Sequence, residues 1–106
     1  MKVLFVENHR VFAQTVVKQF LSAHEVTVVG SIAEAQRAAG FDVALVDYDL
    51  DDGKGDAFVV ELRGRGFRGR VIAISSHEAG NAALVRAGAD AVCSKMEFAR
   101  IDELIR

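Results

Sequence analysis

Short apolar runs and amphipathic stretches alternate along the chain. Residues 3–6 (VLFV) form a continuous apolar run, which is typical of a strand buried on both faces of a sheet. After it, Phe12, Val16 and Phe20 recur at every fourth position, a spacing that predicts an amphipathic helix. The first unit of the chain is therefore predicted to be a strand followed by a helix.

The same alternation continues to the end of the chain. In the second helix, Ser31 and Glu34 have the spacing of a capping box, and Gly40 is expected to end the helix. The third helix is expected to end at Gly64 or Gly66. The remaining strands are predicted in EVTVVG, FDVALVD, RVIAIS and ADAVCS, and the remaining helices in SIAEAQRAAG, DAFVVELRGRG, EAGNAALVRAG and EFARIDELIR.

Five strand-helix pairs predict a doubly wound α/β fold with one parallel sheet. Parallel neighbours need crossover connections, and right-handed crossovers place helices on both faces of the sheet. In such sheets, ligands bind beyond the carboxyl ends of the strands. The loops that follow the first, third, fourth and fifth strands are therefore where functional residues are expected.

Composition indicates one globular domain spanning residues 1–106 and narrows the choice of partners. The net charge of −2 provides no basic field for nucleic acid or an anionic membrane surface, so neither is expected as a direct partner. The single cysteine, Cys93, cannot form an internal disulfide and is expected to be a packed core thiol. No apolar run approaches the roughly 20 residues of a membrane helix. These features predict a soluble protein of the cytoplasm.

Charged and polar residues collect in the selected loops. Glu7 and Asn8 follow the first strand, Asp47 the third, Ser75 the fourth and Lys95 the fifth. Crowded carboxylates are relieved by protonation or by a hard cation such as Mg²⁺. A carboxylate with a metal ion, an ammonium and a hydroxyl nearby is suited to attack a phosphoryl group. The five side chains are predicted to converge at one edge of the sheet.

Four segments carry these residues in order along the chain: VLFVENH, ALVDYDLDDGKG, VIAISS and GADAVCSK. With these motifs the sequence resembles the receiver domains of response regulators in two-component signalling. The resemblance covers essentially the whole chain and implies the flavodoxin-like receiver fold, (βα)5, with strand order 2-1-3-4-5. It also implies that Asp47 accepts a phosphoryl group from a histidine kinase or phosphotransfer protein, and that Ser75 and Lys95 bind this group.

The resemblance further implies a Mg²⁺ ion and a downstream partner. The metal would be held by Glu7, Asn8, Asp47 and the main-chain carbonyl of Asp49. Receiver domains usually carry two aspartates where this chain has Glu7 and Asn8, so Mg²⁺ is expected to bind weakly. A downstream protein would contact the last two helices, and the domain would act as a regulatory phosphoacceptor that undergoes only its own phosphorylation and dephosphorylation, not as an enzyme.

Two further positions depart from the family pattern. Val92 occupies the switch position, where most receiver domains have an aromatic residue. Met96 follows Lys95, where many members have a proline in a cis peptide bond. A cis bond before a non-proline residue costs about 3 kcal/mol, so a trans peptide bond is expected here.

Two other functions stay open. In the first, the chain is a degenerate receiver that binds a partner without being phosphorylated, which Asn8 and Val92 favour. In the second, Asp47 and Asp49 resemble the nucleophile motif of haloacid-dehalogenase-like phosphatases, although that family places the motif on its first strand and has a longer chain.

Two more charged groups are expected to be structural. Asp51, Asp52 and Gly53 have the composition of an ordinary turn. A basic segment is expected to form a solvated loop before the fourth strand, at the end of the sheet opposite the acidic residues. Its members are Arg63, Arg65, Arg68 and Arg70.

Overall fold

A computed structural model describes residues 1–106. No helix in it is both long enough and apolar enough to cross a membrane. The strands of the main sheet are β1 (Lys2–Val6), β2 (Glu25–Val29), β3 (Val43–Val46), β4 (Arg70–Ala73) and β5 (Ala91–Val92). The helices are α1 (Arg10–Phe20), α2 (Ile32–Arg37), α3 (Gly55–Gly64), α4 (Glu78–Ala87) and α5 (Ile101–Ile105), with a 3-10 helix at Lys95–Arg100.

The five strands are all parallel, in the order β2-β1-β3-β4-β5. The predicted doubly wound α/β fold and strand order are therefore confirmed. Main-chain bonds continue past the strand ends, because Glu7 N–H donates to Val29 O at 2.8 Å and Asp47 N–H donates to Val6 O at 3.0 Å. These bonds bring the first residues after β1 and β3 to the same edge of the sheet.

Hydrophobic residues cover both faces of the sheet. Phe5 and Leu45 belong to a buried cluster with residues of α1 and α5, while Leu4 and Val46 belong to a second cluster with residues of α2, α3 and α4. All four apolar residues of the VLFV run are buried, as predicted for a strand packed on both sides. The helices cover the two faces of the sheet, so the carboxyl edge of the sheet is formed by loops.

The second helix begins as predicted but ends earlier. Ser31 Oγ accepts a hydrogen bond from Glu34 N–H at 3.1 Å, so the predicted N-terminal cap is confirmed. The expectation that Gly40 ends the helix is wrong, because α2 stops at Arg37 and the next residue already has extended dihedrals. The early exit lets Phe41 pack against the core cluster of α2, α3 and α4. In contrast, α3 ends at Gly64 as predicted.

A short hairpin follows β3, in which Asp49–Leu50 pairs antiparallel with Gly53–Lys54. Asp52 lies in its turn, and its carboxylate accepts bonds from Ile32 N–H at 2.7 Å and Ala33 N–H at 3.0 Å. The expectation that Asp52 only forms a turn is therefore wrong, because it also satisfies two free N–H groups at the start of α2. The bond from Ile32 N–H is the main reason that the pKa of Asp52 is lowered.

The basic segment is only partly a solvated loop. Arg63 lies in α3, and its guanidinium donates to Gly88 O at 3.1 Å, Phe67 O at 3.0 Å and Gly69 O at 2.8 Å. It also forms a 2.8 Å ion pair with Asp90. The prediction of a solvated side chain is wrong for Arg63, because its guanidinium is bonded to these three main-chain carbonyls and to Asp90. The other arginines are exposed: Arg65, Arg68 and Arg70.

Candidate functional site

The structure brings three of the five predicted site residues together. Glu7 follows β1, Asp47 follows β3 and Lys95 begins the 3-10 helix after β5. Lys95 Nζ lies 2.8 Å from Glu7 Oε1 and 3.0 Å from Asp47 Oδ2. One ammonium group is thus shared by two carboxylates, which leaves the cluster with one negative charge in excess when all three groups are ionised.

These three side chains are largely removed from solvent. The side chain of Glu7 is fully buried, that of Asp47 is 7% exposed and that of Lys95 is 14% exposed. Burial raises the pKa of Glu7 in spite of the bond to Lys95. Burial alone would lower the pKa of Lys95, but its bonds to both carboxylates outweigh this and raise it. The site therefore holds charge that water solvates poorly.

Main-chain N–H groups orient both carboxylates. Glu7 Oε2 accepts from His9 N–H at 3.0 Å, and Asp47 Oδ1 accepts from Tyr48 N–H at 2.9 Å. In each case the other oxygen is the one that faces Lys95. Each carboxylate thus has one oxygen bound to the main chain and one oxygen in the shared ion pair.

Aromatic packing fixes the segment that carries Lys95. The ring of Phe98 stacks on Phe5 with centroids 5.8 Å apart and meets Phe12 edge-on at 5.6 Å. Lys95 Nζ itself lies 5.1 Å from the centroid of the Phe12 ring. All peptide bonds are trans, including the bond to Met96 as predicted. The lysine therefore comes from a segment that is anchored in the core.

Ser75 is buried and is held by residues of α4. Its N–H donates to Asn81 Oδ1 at 2.8 Å, and Asn81 Nδ2 donates to Ser75 O at 2.9 Å. Ser75 Oγ accepts from His77 N–H at 3.1 Å. No sequence signal selects Asn81, because an asparagine near the start of a helix is common and its partner lies six residues earlier.

The predicted metal ligands differ in their burial and in their hydrogen-bond partners. Asn8 Oδ1 is buried and has no hydrogen-bond partner. The Asp49 carboxylate is exposed and pairs with Lys54 across the hairpin, which is the main reason that its pKa is lowered. No group of three or more His, Cys, Asp or Glu side chains is arranged to hold a metal ion.

The residues present nevertheless fit a weakly held Mg²⁺ ion. Mg²⁺ keeps several of its waters and is commonly bound by one or two carboxylates. The unpaired amide oxygen of Asn8 is a suitable oxygen ligand, and a cavity of about 220 Å³ lies beside Glu7 and Asn8. The prediction that these residues bind a metal stays a prediction.

The predicted switch position lies apart from the ion-paired cluster. Val92 is 41% exposed in the two-residue strand β5, where it has no aromatic ring to rotate. The next residue, Cys93, is fully buried in the core, as predicted, and burial raises the pKa of its thiol. Val92 makes no polar contact to the site. The polar contacts described above come from Asn81 in α4 and from Lys95 in the 3-10 helix.

Comparison with solved structures identifies the fold. No protein-family model matches the sequence, and no curated protein matches it. The receiver domain of the Francisella response regulator 1452 superposes with a TM-score of 0.79 at 24% identity, over 98% of this chain and 89% of that chain. The response regulator TrrA from Thermotoga maritima in complex with Mg²⁺-BeF superposes with a TM-score of 0.85 at 16% identity, over 96% of this chain and 93% of that chain.

A third neighbour has a modified aspartate. It is a response regulator protein from Burkholderia pseudomallei with a phosphorylated aspartic acid, a calcium ion and citrate. Its TM-score is 0.85 at 21% identity, over 99% of this chain and 66% of that chain. These similarities show that the chain has the CheY-like fold of response-regulator receiver domains, as the sequence predicted.

Proposed function

We propose that this chain is a phosphoacceptor module of a two-component signalling system, in which Asp47 receives the phosphoryl group. The observation that carries the proposal is the position of Lys95 Nζ between Glu7 and Asp47 at the carboxyl edge of the sheet. An ammonium next to a buried carboxylate is suited to neutralise a phosphoryl group that arrives there. The receiver fold independently supports this chemistry.

The proposed transfer needs few changes at the site. An oxygen of Asp47 forms a bond to phosphorus while the bond between phosphorus and a histidine nitrogen of the kinase or phosphotransfer protein breaks, and the electron pair stays on that nitrogen. Lys95 then pairs with a phosphoryl oxygen and keeps Glu7 as its second partner. The Ser75 hydroxyl donates a hydrogen bond to another phosphoryl oxygen.

A weakly bound Mg²⁺ ion would supply further neutralisation of the phosphoryl oxygens. Asp47, Asn8 and the main-chain carbonyl of Asp49 would hold it. The ion would be held weakly, because Glu7 and Asp47 each have one oxygen that accepts from a main-chain N–H and one oxygen that faces Lys95, so neither carboxylate offers a free oxygen. The Mg²⁺-BeF complex of the Thermotoga neighbour and the phosphorylated aspartate of the Burkholderia neighbour support this proposal.

The partners follow from the same proposal. A histidine kinase or phosphotransfer protein donates the phosphoryl group in the cytoplasm, and a downstream protein contacts the surface of α4 and α5. A second candidate function is a degenerate receiver that binds its partner without phosphorylation. Two observations favour it: Asp47 is only 7% exposed, and Asn8 replaces a carboxylate at the metal position.

One experiment separates these functions. The protein is incubated with Mg²⁺ and acetyl phosphate, and the intact mass is measured for the wild type, Asp47→Asn and the matched control Asp42→Asn, an exposed aspartate before β3 at the opposite edge of the sheet. We expect a gain of one phosphoryl group in the wild type and in Asp42→Asn, but not in Asp47→Asn.

Two other outcomes would change the assignment. A wild type that gains no mass, and whose amide resonances near Asp47 do not respond to beryllofluoride, would support the degenerate receiver. Steady hydrolysis of an unrelated phosphomonoester would support the phosphatase.

A further inference from the structure

We infer that the open edge of β2 binds the β2 strand of a second copy of this chain, so that two five-stranded sheets join into one continuous sheet. The pairing is antiparallel and symmetric about Thr27. The inference goes beyond the proposed function and needs no phosphorylation. It rests on the outward main-chain groups of β2, on its side chains and on the contrast with the strand at the other edge of the sheet.

The main chain of β2 has hydrogen-bonding groups that the sheet does not use. Glu25 N–H donates to the residue before β1, and Val29 O accepts from the residue after β1. Because the main-chain groups of successive residues in a strand point in opposite directions, Thr27 also bonds towards β1, in the register of these two residues. The N–H and C=O groups of Val26 and Val28 therefore point away from the sheet along an open edge.

The two edges of the sheet differ in how well they resist pairing with another chain. At one edge, β5 has only two residues, and short edge strands offer little to pair with. At the other edge, β2 has five residues, as many as any strand of the sheet, and pairs with β1 in an unbroken register. It contains neither proline nor lysine, the residues that commonly protect an edge, and three of its five residues are exposed. The β2 edge is therefore a template for a further strand.

The edge of β2 is complementary to itself in the antiparallel direction. With Thr27 on the two-fold axis, Val26 lies opposite Val28 of the second copy, and these two residues exchange both of their main-chain hydrogen bonds. The symmetry repeats this pair, so every outward N–H and C=O group of both strands gains a partner. An axis at Val26 or Val28 would instead pair one end of β2 with residues outside the strand.

The side chains that this pairing brings together also fit one another. Val28 is 39% exposed and would pack beside Val26 of the second copy, which removes apolar surface from water twice. Thr27 would face its own symmetry mate, and such threonine pairs stabilise sheets. Glu25 is the only charged residue of β2 and would lie opposite Val29, so no like charges face each other. A contact along one strand edge is small, and we therefore expect a weak dimer.

The dimer leaves the candidate functional site uncovered. A two-fold axis perpendicular to the sheet points the carboxyl edges of the two copies in opposite directions. The two Asp47 side chains would thus lie at opposite edges of the joined sheet, away from the paired strands. Because β5 is at the far side of each sheet from β2, the α4 and α5 surfaces would lie at the two outer ends.

Sedimentation equilibrium of the unphosphorylated chain from about 10 µM to about 1 mM tests the pairing. In the wild type we expect the average mass to rise towards that of a dimer. Val28→Lys places a charge beside Val26 of the second copy and should weaken the association about tenfold or more. The matched control is Val60→Lys, the same substitution at a 59% exposed valine of α3, which should associate like the wild type.

A second variant acts on the main chain. Val28→Pro removes an N–H that points away from the sheet and removes no bond to β1, a position at which edge strands accept proline. It should weaken the association as Val28→Lys does. Circular dichroism of both variants shows whether the monomer is still folded.

Cysteine cross-linking tests the register. Thr27→Cys places two thiols opposite each other with Cα atoms about 4.5 Å apart, within the reach of a disulfide. In the control Glu25→Cys, the two Cα atoms would be roughly 14 Å apart, which is too far for a disulfide. Under mild oxidation we expect about tenfold more linked dimer from Thr27→Cys than from Glu25→Cys. The wild type should give none, because its single cysteine, Cys93, is fully buried.

Each experiment has an outcome that overturns the inference. A wild type that stays monomeric at about 1 mM would exclude a second copy as the partner of β2. Association of Val28→Lys as strong as that of Val60→Lys would place the contact elsewhere on the surface. Equal cross-linking of Thr27→Cys and Glu25→Cys would overturn the symmetric pairing. None of these results depends on whether Asp47 accepts a phosphoryl group.

Discussion

The two ends of the sheet both hold charged clusters, but the clusters differ in how well their polar groups are satisfied. At the amino end of β4, the Arg63 guanidinium bonds to three main-chain carbonyls and to Asp90. At the carboxyl end, Glu7 and Asp47 share Lys95, and a buried oxygen of Asn8 has no partner. A satisfied cluster stabilises the fold, whereas an unpaired buried oxygen and excess charge mark a candidate binding site. Four variants test this contrast.

Lys95→Met should have the largest effect on stability. Its removal leaves two buried carboxylates without a cation, and breaking a buried ion pair costs about 3 kcal/mol or more. Urea unfolding at neutral pH measures this cost. The matched control is Lys54→Met, whose ammonium pairs with the exposed Asp49 in contact with water and should therefore contribute little. Equal losses in the two variants would show that the buried ion pairs of Lys95 are no stronger than the exposed pair of Lys54.

Arg63→Ala should come next. It removes bonds to main-chain carbonyls that have few other donors, and we expect a loss of about 2 kcal/mol in the free energy of unfolding. Arg65→Ala, in an exposed residue with one long bond to Gln36 O at 3.4 Å, should change stability by less than about 0.5 kcal/mol. Phosphorylation of Asp47 by acetyl phosphate should be unchanged in both. A slower reaction in folded Arg63→Ala would show that the amino end also affects the site.

Glu7→Gln should change how stability depends on pH. Because the pKa of Glu7 is raised above 4.5, the folded state keeps a proton that the unfolded state releases. The stability due to Glu7 is complete below its ordinary pKa and is lost as the pH rises through its folded-state pKa. Urea midpoints measured from about pH 4 to pH 8 should therefore lack this fall in Glu7→Gln.

Asp102→Asn provides the control of opposite sign. The pKa of Asp102 is lowered from 3.8, chiefly by its bond to His24. Its contribution to stability is therefore present above its ordinary pKa and is lost as the pH falls through the folded-state pKa. For Glu7, a variant Glu7→Gln with the same pH profile as the wild type would show that ionisation of the buried Glu7 carboxylate does not destabilise the fold, contrary to its raised pKa.

Val92→Ala should have the smallest effect. The side chain is apolar and 41% exposed, so the loss of stability should be about 0.5 kcal/mol or less. Amide-resonance shifts that beryllofluoride and Mg²⁺ cause near Asp47 should match those of the wild type. A clear loss of these shifts would support the switch role that the sequence predicts for position 92.

The main features of the fold were predictable from local patterns. The run at residues 3–6 and the spacing of Phe12, Val16 and Phe20 are properties of single elements, and the structure confirms β1 and α1. Strands that alternate with helices leave few topologies, so the carboxyl edge of the sheet could be chosen as the place for the site. The meeting of Glu7, Asp47 and Lys95 follows from that edge.

The features that were missed depend on contacts between distant segments. Asn81, Arg63 and Asp52 have no local signal, because each bonds to main-chain groups of another element. The early end of α2 accompanies the packing of Phe41 against the core, and the sequence of the helix itself does not indicate this contact. Sequence patterns predict which face of an element is buried, but not which free main-chain group a polar side chain will satisfy.

The bond from Asp52 to the start of α2 has a mechanical consequence. The helix α2 has six residues, far fewer than a helix needs to persist alone in water. It therefore relies on its packing and on the hydrogen bonds that Ile32 N–H and Ala33 N–H donate to the Asp52 carboxylate. Any rearrangement that pulls the hairpin after β3 away would remove two hydrogen bonds from the first turn of α2 and leave it with the Ser31 cap. The amide resonances of this turn would then report on a residue that lies 20 positions away from Ile32 in sequence.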